Sequence, residues 1–181
     1  MVLMYCENGN LRNYLNNSEK YINYKEKIYM LKDIAEGLLD IHNAGIVHKD
    51  FHLGNILHSV NYPFISDLGM CQPAHKQKVK EEGIYGVLPY MAPEVIRGHQ
   101  YTKASDIYSF GIIMNEILSE EIPYNDIPHN DFLAIKICKG RRPKIPKHIP
   151  KFLADLIIRC WDAEIENRPT AKELYQILTK Y

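Results

Sequence analysis

Apolar residues recur along most of this chain at three- and four-residue steps, the signature of one buried face of an α-helix. Between Tyr24 and Ala44, Ile28, Leu31, Ile34, Ala35, Leu38 and Ile41 share such a face. Gly45 follows in the position where helices commonly terminate, so the pattern predicts a long helix delivering the chain into Ile46-Val47-His48. From about Lys103 to Leu118, the residues Ile107, Phe110, Ile112, Ile113, Ile117 and Leu118 leave little polar face, which predicts a helix buried on most sides. A third helix is expected over Lys151 to Trp161, with Phe152, Leu153, Leu156, Ile157 and Cys160 inward, and a shorter one near Asn130 to Lys139. Thr170-Ala171-Lys172-Glu173 reads as a capping box, followed by a stripe of Leu174, Ile177 and Leu178.

Short extended pieces are expected at Ile46–Val47, Ile56–His58 and Phe64–Ser66, with Gly54 and Pro63 as punctuation. The stretch from Gly69 to Met91 has weak periodicity and no evident core face. A loop of that length in a compact domain is usually functional or mobile. No fixed-period repeat and no low-complexity segment interrupts the chain.

Composition narrows the field mainly by exclusion. With 181 residues, 46% hydrophobic and 24% charged, the chain has one domain's length and material for a sizeable core. Lys plus Arg equals Asp plus Glu at 22 each, so no whole-chain field draws nucleic acid or an anionic membrane. The longest apolar runs, such as Phe110 to Met114, are too short to span a bilayer. The opening Met-Val-Leu-Met-Tyr-Cys lacks the basic start of a secretion signal and reads as a strand entered partway. Cys6, Cys71, Cys138 and Cys160 show no C-x-x-C pair and no zinc-like spacing, which predicts reduced thiols in a cytoplasmic protein.

The chemistry-bearing residues come in a fixed order: His48-Lys49-Asp50-Phe51-His52-Leu53-Gly54-Asn55, then Asp67-Leu68-Gly69, then Ala92-Pro93-Glu94. Singly each is a weak signal, since an Asp-Leu-Gly tripeptide is most often a surface turn and a lone His most often a structural residue. In this order and spacing they resemble the signature of the protein kinase family. The chemistry explains the residue types. A hydroxyl attacking a phosphoryl group needs an acceptor for its proton, which Asp50 could supply. The anionic phosphates call for Mg2+, a hard ion that takes oxygen ligands, and Asn55 with Asp67 offers an amide oxygen and a carboxylate. Gly69 lets the backbone turn sharply just after that carboxylate.

Further stretches fit the same resemblance. Asp106-Ile107-Tyr108-Ser109-Phe110-Gly111 is similar to the start of the family's central buried helix, whose Asp typically holds the catalytic-loop backbone. Asn167-Arg168-Pro169-Thr170 looks like the late motif whose Arg pairs with the A-P-E glutamate, here Glu94, and Cys160-Trp161 precedes it as in tyrosine-kinase-like members. Met4-Tyr5-Cys6-Glu7-Asn8-Gly9-Asn10-Leu11 resembles the hinge and the step into the next helix.

The resemblance implies a mainly α fold: a helical lobe with short β hairpins at the catalytic loop, the C-terminal lobe of a kinase domain with its N-terminal β lobe absent. Residues 1–10 would be a strand end and hinge, and 11–181 the lobe, with a catalytic loop at 48–55 and an activation segment at 67–94. It further implies ATP and Mg2+ as cofactors, a protein substrate and regulatory protein partners. The backbone around Met4 to Cys6 would hydrogen-bond the adenine and Leu57 would lie beneath it. His48 and Leu68 would belong to a column of stacked apolar side chains.

Departures from the family pattern matter too. No Gly-rich loop and no V-A-I-K lysine occurs in the 181 residues, so this stretch alone is expected to be nearly inactive, or to act as a pseudokinase-like regulatory or scaffold module. Lys49 replaces the usual Arg and lacks its bidentate fork. His52 stands where Ser/Thr-specific members carry a Lys, and Val87 where a Thr often accompanies it, so the usual Thr–Lys–Asp contact is expected to be lost from both ends. Between Gly69 and Ala92 the only hydroxyls are Tyr85 and Tyr90. Tyr85, near Lys76, Lys78 and Lys80, is the candidate phosphorylation site, against the reading of a packed or merely exposed tyrosine.

Overall fold

The structure, a computed structural model, describes residues 6–17, 22–59, 62–73 and 86–181. It is mostly helical: α1 (Leu11–Asn17), α2 (Tyr24–Asn43), α3 (Pro93–Ile96), α4 (Lys103–Ser119), α5 (Asp131–Cys138), α6 (Lys151–Cys160) and α7 (Ala171–Leu178). Four short strands, β1 (Ile46–Val47), β2 (Ile56–His58), β3 (Pro63–Ile65) and β4 (Gln72–Pro73), form two antiparallel pairs. No helix among the described residues is long and apolar enough to cross a membrane.

Local chemistry sets the helix bounds. Asn23 caps α2 by accepting from the Glu26 amide at 3.0 Å, while Glu26 accepts from the Asn23 amide at 3.3 Å. Beyond the other end, Gly45 takes φ +75, a left-handed turn that costs glycine nothing, and drops the chain straight into β1. Thr102 caps α4 with Ser105 as its reciprocal partner, and Thr170 caps α7 with Glu173 as the sequence predicts.

α4 is the axis of the core. Every residue from Ser105 to Leu118 is buried, in agreement with its nearly continuous apolar composition. α6 lies against it so closely that a Cβ on Gly111 would stand 2.7 Å from Cys160 Cβ. Glycine is therefore what permits this helix contact. α2 packs on α7 and α4, and α3 on α5.

The face of α2 differs in part from the sequence pattern. Leu31, Ile34, Ala35 and Leu38 are buried, but Ile28 and Ile41 sit at its margin, and Lys27 and His42 share the buried stripe. Both polar groups have partners, Lys27 at Glu120 and His42 at Asp106, which is the condition for burying them cheaply. Phe152, expected inward on α6, is only partly buried and stacks on Tyr181 with ring centroids 4.1 Å apart.

Two strand pairs, the β2–β3 hairpin and the non-consecutive β1–β4 pair, frame the loop between β1 and β2. β2 and β3 pair Ile56 with Ile65, Leu57 with Phe64 and His58 with Pro63. The second strand thus begins one residue earlier than expected, at Pro63, where a missing amide is tolerated at a strand start. β1 pairs with β4, a two-residue strand too short to leave a periodic trace in sequence. Residues 74–85 lie outside the described residues, so Lys76, Lys78, Lys80 and Tyr85 do as well.

Candidate active site

The loop from His48 to Asn55 leaves β1, crosses above the N-terminal end of α4 and enters β2. Asp106, 1% exposed near the start of α4, holds it from below. Its Oδ2 accepts from the His48 amide at 2.9 Å and its Oδ1 from the Lys49 amide at 3.1 Å. His42 Nε2, from the last turn of α2, donates to the same Oδ2 at 2.9 Å. The buried carboxylate is thereby fully partnered, and it pins two successive amides where Lys49 adopts φ +73. His42 is the partner that the sequence pattern missed. A histidine on an apolar stripe gives no sign of which carboxylate it will meet.

His48 itself is buried, and its Nε2 donates to the Ser66 carbonyl at 3.0 Å, tying the loop to the chain just before Asp67. Asn55 makes the second tie. Its carbonyl oxygen accepts from both the Ser66 amide and Ser66 Oγ, each at 2.8 Å. Its side-chain Nδ2 donates to the Asp50 carbonyl and to Asp50 Oδ2, each at 2.9 Å. Asp50 and the segment that delivers Asp67 are therefore fastened to a single residue.

With Nδ2 committed, Asn55 Oδ1 is the end of the amide left for a ligand. Asp67 sits exposed at φ +56, bent by a turn in which its Oδ1 accepts from the Gly69 amide at 3.4 Å. These two hard oxygen donors suit Mg2+ shared with phosphates and water. The donor set fits the ion.

Asp50 has a divided environment. Oδ2 faces Asn55 Nδ2 and, at 3.5 Å, His52 Nε2, whereas Oδ1 is buried with no hydrogen-bond partner among the described residues. His52, then the Asn55 amide, hold the Asp50 carboxyl below its ordinary range, against partial burial that works the other way. His52 thus stands against Asp50 at the position where the family pattern has Lys, and Val87 brings no hydroxyl to that contact. Val87 lines the small cavity beneath the loop together with Asp50, Tyr90 and Ser109.

Other sequence candidates divide clearly. Leu57 is partly buried in β2 and bridges to Asn10 across an antiparallel contact, with His58 N donating to Gly9 O at 2.9 Å alongside. Cys6 begins the turn that makes this approach, its carbonyl accepting from Gly9 N at 3.0 Å. Met4 lies outside the described residues. Lys49 Nζ donates to Gln72 Oε1 at 2.6 Å and lies 5.6 Å from the Tyr101 ring centroid. Leu68 is 57% exposed, so it does not stack with buried His48 among the described residues; the turn after Asp67 carries it outward.

Farther from the loop, Arg168 and Glu94 form a bidentate pair, Nη1 to Oε1 at 2.6 Å and Nη2 to Oε2 at 2.8 Å. Arg168 also donates to the Ala104 and Asp162 carbonyls, so it binds the A-P-E turn to the start of α4. A cluster not read from sequence joins α1 to this region. Arg12 and Glu116 pair at 3.2 Å, and both hydrogen-bond the Tyr90 hydroxyl. Burial pushes the Tyr90 hydroxyl and the Glu116 carboxyl up from their ordinary values, the latter against the pull of Tyr90 and Arg12.

A family model described as protein tyrosine and serine/threonine kinase matches residues 1–178. A probable serine/threonine-protein kinase of Dictyostelium discoideum is 35% identical over 99% of this chain, which spans 13% of that protein. The dual specificity protein kinase shkD of the same organism is 34% identical over 87% of the chain and 22% of its own length. The serine/threonine/tyrosine-protein kinase HT1 of Arabidopsis thaliana is 30% identical over the whole chain, which covers 47% of it. The chain thus spans less than half the length of each of these relatives.

Proposed function

The chain belongs to the protein tyrosine and serine/threonine kinase family, and from that premise we propose that it serves ATP-dependent transfer of a γ-phosphoryl group to a Ser, Thr or Tyr hydroxyl of a protein substrate. The observation that carries this reading is the double use of Asn55, which binds Asp50 through its side chain and Ser66, beside Asp67, through its carbonyl. A base and two oxygen donors for a metal are thereby held in neighbouring loops.

Asp50 takes the proton of the acceptor hydroxyl as that oxygen bonds the γ-phosphorus. The bond from phosphorus to the bridging oxygen breaks, and its electron pair leaves with ADP. Asn55 Oδ1 and the Asp67 carboxylate would hold Mg2+, which would supply the positive charge that the phosphates require. The segment around Met4 and Cys6 receives the adenine, with Leu57 beneath it. On this reading residues 1–10 are strand end and hinge, 48–55 the catalytic loop and 67–94 the activation segment. Tyr85 is then the segment's modifiable hydroxyl, and the cytoplasm, where ATP and free thiols coexist, is the location.

The 181 residues contain no Gly-rich phosphate loop and no V-A-I-K lysine. Losing one well-placed donor typically costs ~10²–10³ in rate, so this stretch by itself should transfer very slowly. The test therefore uses the full-length protein, with γ-labelled ATP and a general protein acceptor. Asp50→Asn should lower transfer ~10²–10⁴-fold while leaving nucleotide affinity within about threefold. Transfer unchanged by Asp50→Asn overturns the assignment.

Lys49 and His52 favour a second reading, a regulatory or scaffold module with partner proteins in place of turnover. Full-length protein that binds Mg-ATP yet transfers no label would establish it.

A further inference from the structure

The pair His52 and Gly54 has no role in the reading above, and its geometry is specific. His52 Nδ1 accepts from the Gly54 amide at 3.0 Å. An imidazole nitrogen that accepts carries no proton, so the neutral ring must carry its proton on Nε2. Nε2 is the atom that faces Asp50 Oδ2, at 3.5 Å, the outer edge of hydrogen-bonding reach. Catalytic contacts of this kind are often long in the free enzyme and shorten with substrate bound.

Gly54 is needed for space as well as for its amide. A Cβ there would stand 2.7 Å from His52 Cε1 and 2.8 Å from Nδ1, closer than real side chains approach. An alanine would therefore expel the ring from its place. The Tyr90 ring, 5.8 Å away between centroids and tilted by 45°, borders the imidazole on another side.

We propose that His52, locked by Gly54 as the Nε2–H tautomer, is a positioning residue for Asp50: together with Asn55 Nδ2 it holds Oδ2 and so fixes the orientation in which the carboxylate meets the acceptor. Oδ1, which is buried, has no donor among the described residues. A lysine in place of His52 could reach the same carboxylate only as a flexible point charge, whereas the ring is fixed by an i to i+2 contact within its own loop. This inference rests on the kinase reading for its chemistry but not for its geometry, and the experiment separates them.

The geometric arm is ¹⁵N imidazole spectroscopy of the 181-residue chain, the His52 signal being assigned by its loss in His52→Gln. A fixed Nε2–H tautomer is expected, giving way to mixed tautomers in Gly54→Ala. The Nδ1–H tautomer, or one that Gly54→Ala leaves untouched, overturns the lock. The catalytic arm compares His52→Ala, Gly54→Ala and the double variant in the full-length protein. Each single change should lower kcat ~10–100-fold with KM for Mg-ATP within about twofold, and the double variant should fall no further than the worse single. Losses that multiply, or that appear in KM, overturn the positioning role. If the parent protein transfers no phosphate, the kinase reading fails and the positioning role with it, while the tautomer lock is judged on its spectrum alone.

Discussion

Asp106 and Asp50 belong to the two faces of one loop, and their oxygens are treated in opposite ways. Below the loop, Asp106 is 1% exposed and each of its oxygens accepts from an amide, with His42 added on Oδ2. Above it, Asp50 has one oxygen bound by Asn55 and faced by His52, and the other buried with no donor among the described residues. Asn55 Oδ1 and the exposed Asp67 likewise keep oxygens free of donors that would saturate them. A buried charge is tolerable only when its hydrogen bonds are complete, so the lower face can serve as scaffold. The upper face keeps valence in reserve, which weakens it as structure and suits it to a ligand. Variants on the two faces should therefore separate stability from binding and turnover.

The largest expected structural effect lies in the scaffold region at the Arg168–Glu94 pair. Arg168→Ala leaves the Glu94 carboxylate, 6% exposed, without its two donors and also strips the Ala104 and Asp162 carbonyls. Removing one member of a buried pair typically costs about 3–5 kcal/mol. Urea denaturation of the chain should show a loss in that range with m unchanged. A loss below about 1 kcal/mol would break the comparison, because it would make this pair no more structural than a surface contact.

Next comes the open face. Asp67→Ala removes an oxygen donor whose carboxylate holds little else, a 3.4 Å contact to the Gly69 amide. In the full-length protein, Mn2+ bound together with ADP and followed by electron paramagnetic resonance should weaken at least ~10-fold, about 1.4 kcal/mol. The urea midpoint should stay nearly constant. If stability falls as far as metal affinity, the division between saturated and open groups does not hold.

The same division explains what could be read from the sequence. α4 was legible because an almost unbroken apolar run admits only burial, and the capping box of α7 is a local pattern in which the partners are three residues apart; the same pattern at Asn23 and Glu26 of α2 was there to read and was missed. The Asp106 anchor and the Glu94–Arg168 pair came through resemblance, since nothing in a linear pattern joins residues so distant. His42 and Lys27 were hidden for the converse reason: a polar residue on an apolar stripe looks like an interruption until its carboxylate is in place. The lock between His52 and Gly54 depends on the extended conformation of His52, φ −153 and ψ 166, which the residue types alone do not dictate. β4 is a strand only because β1 lies beside it. For Met4 and Tyr85, which lie outside the described residues, the expectation stands as the sequence left it.

The smallest effect sharpens the comparison at two residues that the family pattern places in one column. His48 is fully buried, and its Nε2 is bound to the Ser66 carbonyl, so its side chain joins two segments of the site. Leu68, by contrast, is 57% exposed. Burial is what converts apolar area into stability, at roughly 25 cal/mol per Å² removed from water. A side chain already in solvent has little left to lose. Leu68→Ser should therefore shift the stability of this chain by no more than about 0.5 kcal/mol, read from the same urea titration. His48→Ala, by comparison, removes a packed ring and an internal donor and should cost several times as much. Equal losses at the two positions would mean that Leu68 is packed after all, and the upper face would then be as closed as the lower one.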